Sequence, residues 1–85
     1  MAKVVIYTKQ SCPFCVLAKN LLAKYNVAFE EIRIDLDESK LEEMIASSNR
    51  RTVPQIFING HPIGGYDDLA ELARSKKLTE LLNST

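Results

Sequence analysis

The sequence predicts an α/β layer structure whose mixed sheet has about four strands, and three observations carry that prediction. Between Lys3 and Ile34 an apolar β-branched run, a helical stripe and a second, half-polar run follow one another. Asn59-Gly60 sits between two short apolar runs, and amphipathic segments lie before and after that pair. The first observation is a right-handed βαβ unit and the second an antiparallel hairpin. The third supplies helices to flank the sheet they share.

Lys3 to Tyr7 is rich in β-branched residues and lacks polar alternation, so a central strand covered on both faces is expected there. Pro13 suits the first turn of a helix, where its missing N–H would have no intrahelical partner. Leu17, Leu21, Leu22 and Tyr25 follow at spacings that predict one buried helical face, with Asn26 as a left-handed terminator. Phe29 to Ile34, broken by Glu31 and Arg33, reads as a less buried strand. Ser39 and Glu42 have capping-box spacing with Asp37 as a rival cap, and Leu41, Met44 and Ile45 give the next helix its stripe before Asn49 ends it. Gln55 to Ile58 is a strand, Asn59-Gly60 a two-residue hairpin turn, and Pro62 to Gly64 a short edge strand. Gly64-Gly65 then leads into a helix with Asp67 and Asp68 in its first turn, where carboxylates complement the helix dipole, and Leu69, Leu72 and Ala73 on one face. Lys76-Lys77 reads as solvated surface, Leu78 to Leu82 as a last short helix, and Asn83 to Thr85 as a frayed end.

Composition narrows the function. The 85 residues are expected to form one domain, 1–85, and 46% apolar with 26% charged residues lies in the globular range. Eleven basic residues balance eleven acidic ones, so no overall field attracts nucleic acid or an anionic membrane. Val4-Val5-Ile6-Tyr7 is too short for a signal-peptide core, so a cytoplasmic protein is expected, and no membrane span is visible. In a reducing compartment a lone cysteine pair is more often catalytic or metal-binding than structural.

That pair is Cys12 and Cys15, three apart at a helix start and thus on one face, within reach of a disulfide. An attacking thiol must be a thiolate, and a free cysteine, with pKa near 8.5, is mostly protonated at neutral pH. Lowering it by about three pH units takes roughly 4 kcal/mol, more than the roughly 0.3–2 kcal/mol of a helix dipole. Backbone N–H groups at the helix start can supply the difference, at about 1.5–3 kcal/mol per hydrogen bond to a charged group. Lys9 adds positive potential. Cys12 is therefore expected to be the nucleophile with a depressed pKa. Cys15, one turn deeper and more buried, is the resolving thiol. The site lies outside the carboxyl end of a central strand, where open α/β sheets place ligands.

Three motifs then coincide: Tyr7-Thr8-Lys9 before Cys12-Pro13-Phe14-Cys15, Thr52-Val53-Pro54, and Gly64-Gly65-Tyr66-Asp67-Asp68. In their order and spacing the chain resembles the glutaredoxins of dithiol type, nearly end to end. The resemblance implies a thioredoxin-like fold with strand order 2-1-3-4. It also implies glutathione-dependent reduction of protein disulfides and glutathione mixed disulfides, with ribonucleotide reductase among the acceptors of the family. A monomer with glutathione as co-substrate and no metal is expected. An X-Pro bond is ordinarily trans, but the resemblance implies a cis Val53-Pro54 whose Val53 backbone pairs with extended glutathione beside Thr52. It further places the γ-glutamyl carboxylate on N–H groups near Asp67 and Asp68, its ammonium on the Asp68 carboxylate, and the glycyl carboxylate on Lys9 and Arg51, with Phe14, Gly65 and Tyr66 completing the rim. Phe14 stands where many dithiol members have Tyr, and Tyr66 and Arg50-Arg51 occupy positions that vary in the family. Asp35, Asp37 and Glu38 are expected to serve a loop and a helix cap, and His61 is given no role.

Two rival readings use the same residues. A thioredoxin-like donor reduced by a flavoprotein reductase needs only the fold and the dithiol, and the expected glutathione contacts argue against it. An iron–sulfur module shared between two subunits would have to draw on bound glutathione, because two cysteines are too few for a four-thiolate site.

Overall fold

A computed structural model, describing residues 2–83, gives four strands and four helices. In chain order they are β1 (Val4–Thr8), α1 (Pro13–Lys24), β2 (Glu30–Arg33), α2 (Glu38–Ser48), β3 (Gln55–Ile58), β4 (His61–Gly64), α3 (Tyr66–Arg74) and α4 (Lys77–Asn83). The sheet order is β2-β1-β3-β4, with β1 parallel to β2, and β3 antiparallel to both β1 and β4. This is the mixed, thioredoxin-like sheet that the resemblance implied.

Strand alternation builds a core on each face. Val4, Ile6, Ile56 and Ile58 point one way and pack with Ala18 and Leu22 of α1, Leu69 of α3 and Leu78 of α4. Tyr7 and Phe57 point the other way and meet Met44 of α2, their rings edge to face at 5.5 Å. The central strand is thus apolar on both faces from Val4 to Tyr7, which is why its sequence shows no alternation. Burying each of these branched side chains contributes roughly 1.5–3 kcal/mol.

The first helix corrects the expected face. Its buried residues are Cys15, Ala18 and Leu22, while Leu17 is 44% exposed and Tyr25 36% exposed. Leu17 and Leu22 are five residues apart, about 140° round a helix of 3.6 residues per turn, so one face cannot centre on both. Docking chooses the face that carries Cys15 inward. Leu21 packs at the margin of the core.

Element ends are set by local partners. Asp37, rather than Ser39, caps α2: its Oδ1 accepts the Ser39 N–H at 2.9 Å and the Ser39 hydroxyl at 2.7 Å. Asn49 and Asn26 take left-handed conformations, φ 61° and 57°, as their sequence positions suggested. Lys3 stands outside β1, its N–H donating to Asn59 Oδ1 at 3.0 Å and its carbonyl accepting the Asn59 N–H at 2.8 Å. β2 is two residues shorter than the run Phe29 to Ile34: Phe29 packs against the core ahead of the strand, and Ile34 follows it, donating its N–H to the Thr8 carbonyl at 2.9 Å. Of the expected frayed end, Asn83 closes α4, and residues 84–85 lie outside the described residues.

Candidate active site

The end of β1 delivers the chain into a short loop whose Ser11 has φ 59°, and Cys12 follows as the N-cap of α1. The Cys12 carbonyl accepts the N–H groups of Cys15 at 3.1 Å and Val16 at 3.2 Å, and Cys12 Sγ accepts the Cys15 N–H at 3.1 Å. A side-chain sulfur thus fills the role that Ser or Asp usually takes at a helix start, with Pro13 in the first turn where no N–H is needed. Cys12 and Cys15 form a disulfide, their Cα atoms 5.2 Å apart. Both residues are buried, Cys15 at 2% exposed more deeply than Cys12 at 8%.

The loop before β3 faces that sulfur. The Val53-Pro54 bond is cis, and the Val53 carbonyl oxygen lies 3.8 Å from Cys12 Sγ. With both sulfurs in the disulfide there is no S–H proton to share, so this is a contact. Gln55, buried at the start of β3, holds the loop by donating from Nε2 to the Thr52 carbonyl at 2.9 Å and to Thr52 Oγ1 at 3.3 Å. Gln55 is not among the site residues that the sequence motifs single out. A glutamine inside an otherwise apolar run was the available signal, since a buried amide must find partners.

Beside this loop an open slot of about 210 Å³ brings together Phe14, Thr52, Val53, Pro54, Gly65, Tyr66, Asp67 and Asp68, all named from the sequence. The rings of Phe14 and Tyr66 approach to 6.1 Å between centroids at 31°. Asp68 Oδ2 accepts the Gly65 N–H at 3.0 Å, which caps α3, and pairs with Arg50 Nη1 at 3.2 Å. The Asp68 carboxylate also fills the space that a Cβ on Gly64 would need, and Gly64 has φ +116°. Arg50 lines the slot and Arg51 does not. Two adjacent arginines carry no periodicity that would distinguish them in the sequence.

Lys9 lies elsewhere, with Cys12, Lys19, Glu31 and Arg33 around a second cavity of about 460 Å³. Glu31 Oε2 there accepts the Thr8 hydroxyl at 2.7 Å and Lys19 Nζ at 2.9 Å. These bonds, the Thr8 one foremost, hold the Glu31 carboxyl below its usual range. Asp35 ties down the loop between β1 and α1 by accepting the Gln10 N–H at 3.1 Å, while Arg33 grips both its oxygens at 2.7 and 2.6 Å. The Arg33 hydrogen bonds keep the Asp35 carboxyl well below the carboxylate range. Asp35 and Asp37 thus act in a loop and a cap. Among the described residues no three His, Cys, Asp or Glu side chains gather as a metal-holding group.

The family model for glutaredoxin matches residues 4–63, spanning both the cysteine motif and Val53-Pro54. The chain belongs to the glutaredoxin family. Glutaredoxin 3 of Escherichia coli (strain K12) is 52% identical over 82 residues, covering 96% of this chain and 99% of that protein. The solution structure of a glutaredoxin from Brucella melitensis superposes with a TM-score of 0.87 at 43% identity, covering 99% of this chain and 91% of that one. A buckwheat glutaredoxin–glutathione complex superposes with a TM-score of 0.87 at 28% identity, covering 95% of this chain and 76% of that one. As a glutaredoxin the protein is a thiol–disulfide oxidoreductase, and the redox-active pair is Cys12 and Cys15.

Proposed function

We propose that the protein reduces glutathione mixed disulfides and protein disulfides at the expense of glutathione. The observation that carries this is the Cys12–Cys15 disulfide at the start of α1, its Cys12 sulfur against the carbonyl of Val53, a residue that lines the slot on its other side. In the first reaction the Cys12 thiolate attacks the glutathione sulfur of a mixed disulfide, and the acceptor leaves as its thiolate and takes up a proton. A second glutathione thiolate then attacks the glutathione sulfur on Cys12, releasing oxidised glutathione and restoring the Cys12 thiolate. In the second reaction Cys12 forms a mixed disulfide with a protein. The Cys15 thiolate attacks the Cys12 sulfur, the protein dithiol departs, and two glutathiones reduce the Cys12–Cys15 bond in turn.

The geometry supports this division of labour. The Cα separation of 5.2 Å lies within the roughly 4.4–6.8 Å that disulfides span, so Cys15 can reach Cys12 without backbone movement. The Cys15 N–H and the helix start favour negative charge on a reduced Cys12. Glutathione is bound as an extended strand along the Val53 backbone beside Thr52 and Pro54. Its γ-glutamyl end lies at the start of α3 near Gly65, Asp67 and Asp68, between Phe14 and Tyr66, with its glycyl carboxylate toward Lys9 and Arg51. The buckwheat protein, similar in fold, forms a complex with glutathione. Protein acceptors include the class to which ribonucleotide reductase belongs, and the cytoplasm is the expected compartment.

Turnover of a glutathione mixed disulfide by the wild type, Cys12→Ser and Cys15→Ser tests the assignment. Cys12→Ser loses all activity, while Cys15→Ser keeps activity on that substrate and loses it on a protein disulfide. Equal loss in both variants would overturn the roles given to the two thiols.

A further inference from the structure

Between the end of β1 and Cys12 the chain crosses Lys9, Gln10 and Ser11, and Ser11 takes the left-handed conformation, φ 59°. A residue with a Cβ avoids that region unless its surroundings impose it. Two contacts with the far end of β2 hold this turn. The Thr8 carbonyl accepts the Ile34 N–H at 2.9 Å where the turn begins, and the Gln10 N–H donates to Asp35 Oδ2 at 3.1 Å in its middle. Arg33, which lies opposite Thr8 in the β1–β2 register, orients that carboxylate through both its oxygens. We propose that Asp35 is a positioning residue for the attacking thiol: by holding the Gln10 N–H it fixes the left-handed turn that sets Cys12 Sγ against the Cys15 N–H.

The link runs through the backbone, because Asp35 lines neither the slot nor the cavity beside Cys12. Cys12 has the extended conformation of an N-cap, φ −114° and ψ 99°, so that its carbonyl and its sulfur both meet the first N–H groups of α1. Ser11 sets the direction from which the chain enters that cap. Relaxed to the right-handed or extended region, it swings the Cys12 side chain away from its 3.1 Å contact with the Cys15 N–H. On reduction that contact becomes a charge-assisted hydrogen bond to the thiolate. The Gln10–Asp35 bond, which spans 25 residues, thereby reaches the reactivity of Cys12 without touching it.

Charge gives Asp35 an effect of the opposite sign. The cavity beside Cys12 is lined by Lys9 of the loop, Lys19 of α1, and Glu31 and Arg33 of β2, while Arg50, Asp67 and Asp68 line the slot beyond Val53. The Asp35 carboxylate pairs with Arg33, so its removal leaves that guanidinium uncompensated near Cys12 and favours the thiolate. Loss of positioning disfavours the thiolate, and the sign of the shift decides between the two. The inference rests on Cys12 being the attacking thiol.

The test follows the Cys12 thiolate by its absorbance against pH in the reduced Cys15→Ser protein, which keeps the backbone N–H at position 15, and adds Asp35→Ala or Asp35→Asn. Asp35→Ala is expected to raise the transition by about one pH unit, the effect of losing one charge-assisted hydrogen bond. Asp35→Ser, one bond shorter than the aspartate, gives a second version of the same loss. Single-turnover release of an acceptor thiol from its glutathione mixed disulfide then shows a pH–rate profile displaced to higher pH by the same amount. Asp35→Asn keeps an oxygen for the Gln10 N–H and removes only the charge, so its transition stays at or below that of the parent. A transition unmoved in Asp35→Ala while Tm falls makes Asp35 a structural residue only and overturns the proposal. A lowered transition overturns it in favour of the Arg33 charge. A parent transition already at or above the free-cysteine range overturns the thiolate reading of Cys12 itself.

Discussion

Cys12 Sγ and the carbonyl oxygen of Val53 lie 3.8 Å apart, though 41 residues separate them in the chain. The reactive sulfur is therefore enclosed by two elements, the start of α1 on one side and the loop before β3 on the other. The first supplies N–H donors and the second a backbone edge. On one side Cys12 lines the cavity of Lys9 and Lys19, and on the other Val53 separates it from the slot of Phe14, Tyr66 and Asp68.

In the reduced protein Cys12 should ionise well before an ordinary thiol, because the Cys15 N–H already points at its sulfur. Thiolate absorbance followed against pH, in Cys15→Ser to isolate one thiol, will show the transition below the free-cysteine range. A transition at or above that range would rule out stabilisation by the helix start.

Gln55→Leu should loosen the Thr52–Val53 loop. It removes the donor to the carbonyl of Thr52, an exposed residue whose oxygen water can reach, so the expected loss is that of an ordinary hydrogen bond, about 0.5–1.5 kcal/mol. Denaturant unfolding measures the stability, and KM for a glutathione mixed disulfide should rise with it. Gln55→Glu, which keeps the shape and puts a charge in the same buried place, should be the more damaging of the two.

Gly64→Ala should destabilise the junction of β4 and α3. A side chain there must adopt φ near +116° and displace the Asp68 carboxylate, and the positive φ alone is worth roughly 1 kcal/mol or more. A lowered Tm with a raised KM is expected. An unchanged Tm would show that Asp68 moves aside freely.

Acid should unfold the protein through carboxylates that its partners hold ionised. Glu31, Asp35 and Asp37 all have folded-state values below the ordinary ones, owing first to Thr8, Arg33 and Ser39 respectively. A depressed folded value means that the stabilisation is complete above the unfolded pKa of about 4 and is lost as pH falls below it. Stability measured from pH 6 to 2 should fall mainly below about pH 4, and Asp35→Asn should flatten part of that fall.

Tyr7 behaves in the opposite sense at high pH. Burial first, then the hydrogen bond from its hydroxyl to Glu43 Oε2 at 2.9 Å, pushes its pKa up to about 12. The neutral phenol is the stabilising form, so its contribution is present below the unfolded value of about 10 and is lost as pH rises toward 12. Ultraviolet titration should show a late tyrosine step that disappears in Tyr7→Phe.

The sequence alone determined the elements and the cysteine pair, because both depend on near neighbours. The Asn26 and Asn49 terminators, the Asn59-Gly60 turn, the unbroken apolar run of β1 and the Cys12–Cys15 spacing each act over a few residues. Asp37 shows the limit of that reasoning: two caps fitted the pattern, and the Ser39 hydroxyl donates to Asp37 instead of capping. Only tertiary structure decided which face of α1 is buried, since Ala18 against the sheet outweighed the leucine at 17 once Cys15 had to point inward. It also chose Arg50 over Arg51 for the slot, through a pairing with Asp68 that spans 18 residues, and joined Asp35 to Gln10 across 25. Such contacts arise when separate segments dock on a common sheet, and no local spacing encodes which of two adjacent side chains will face the gap between them.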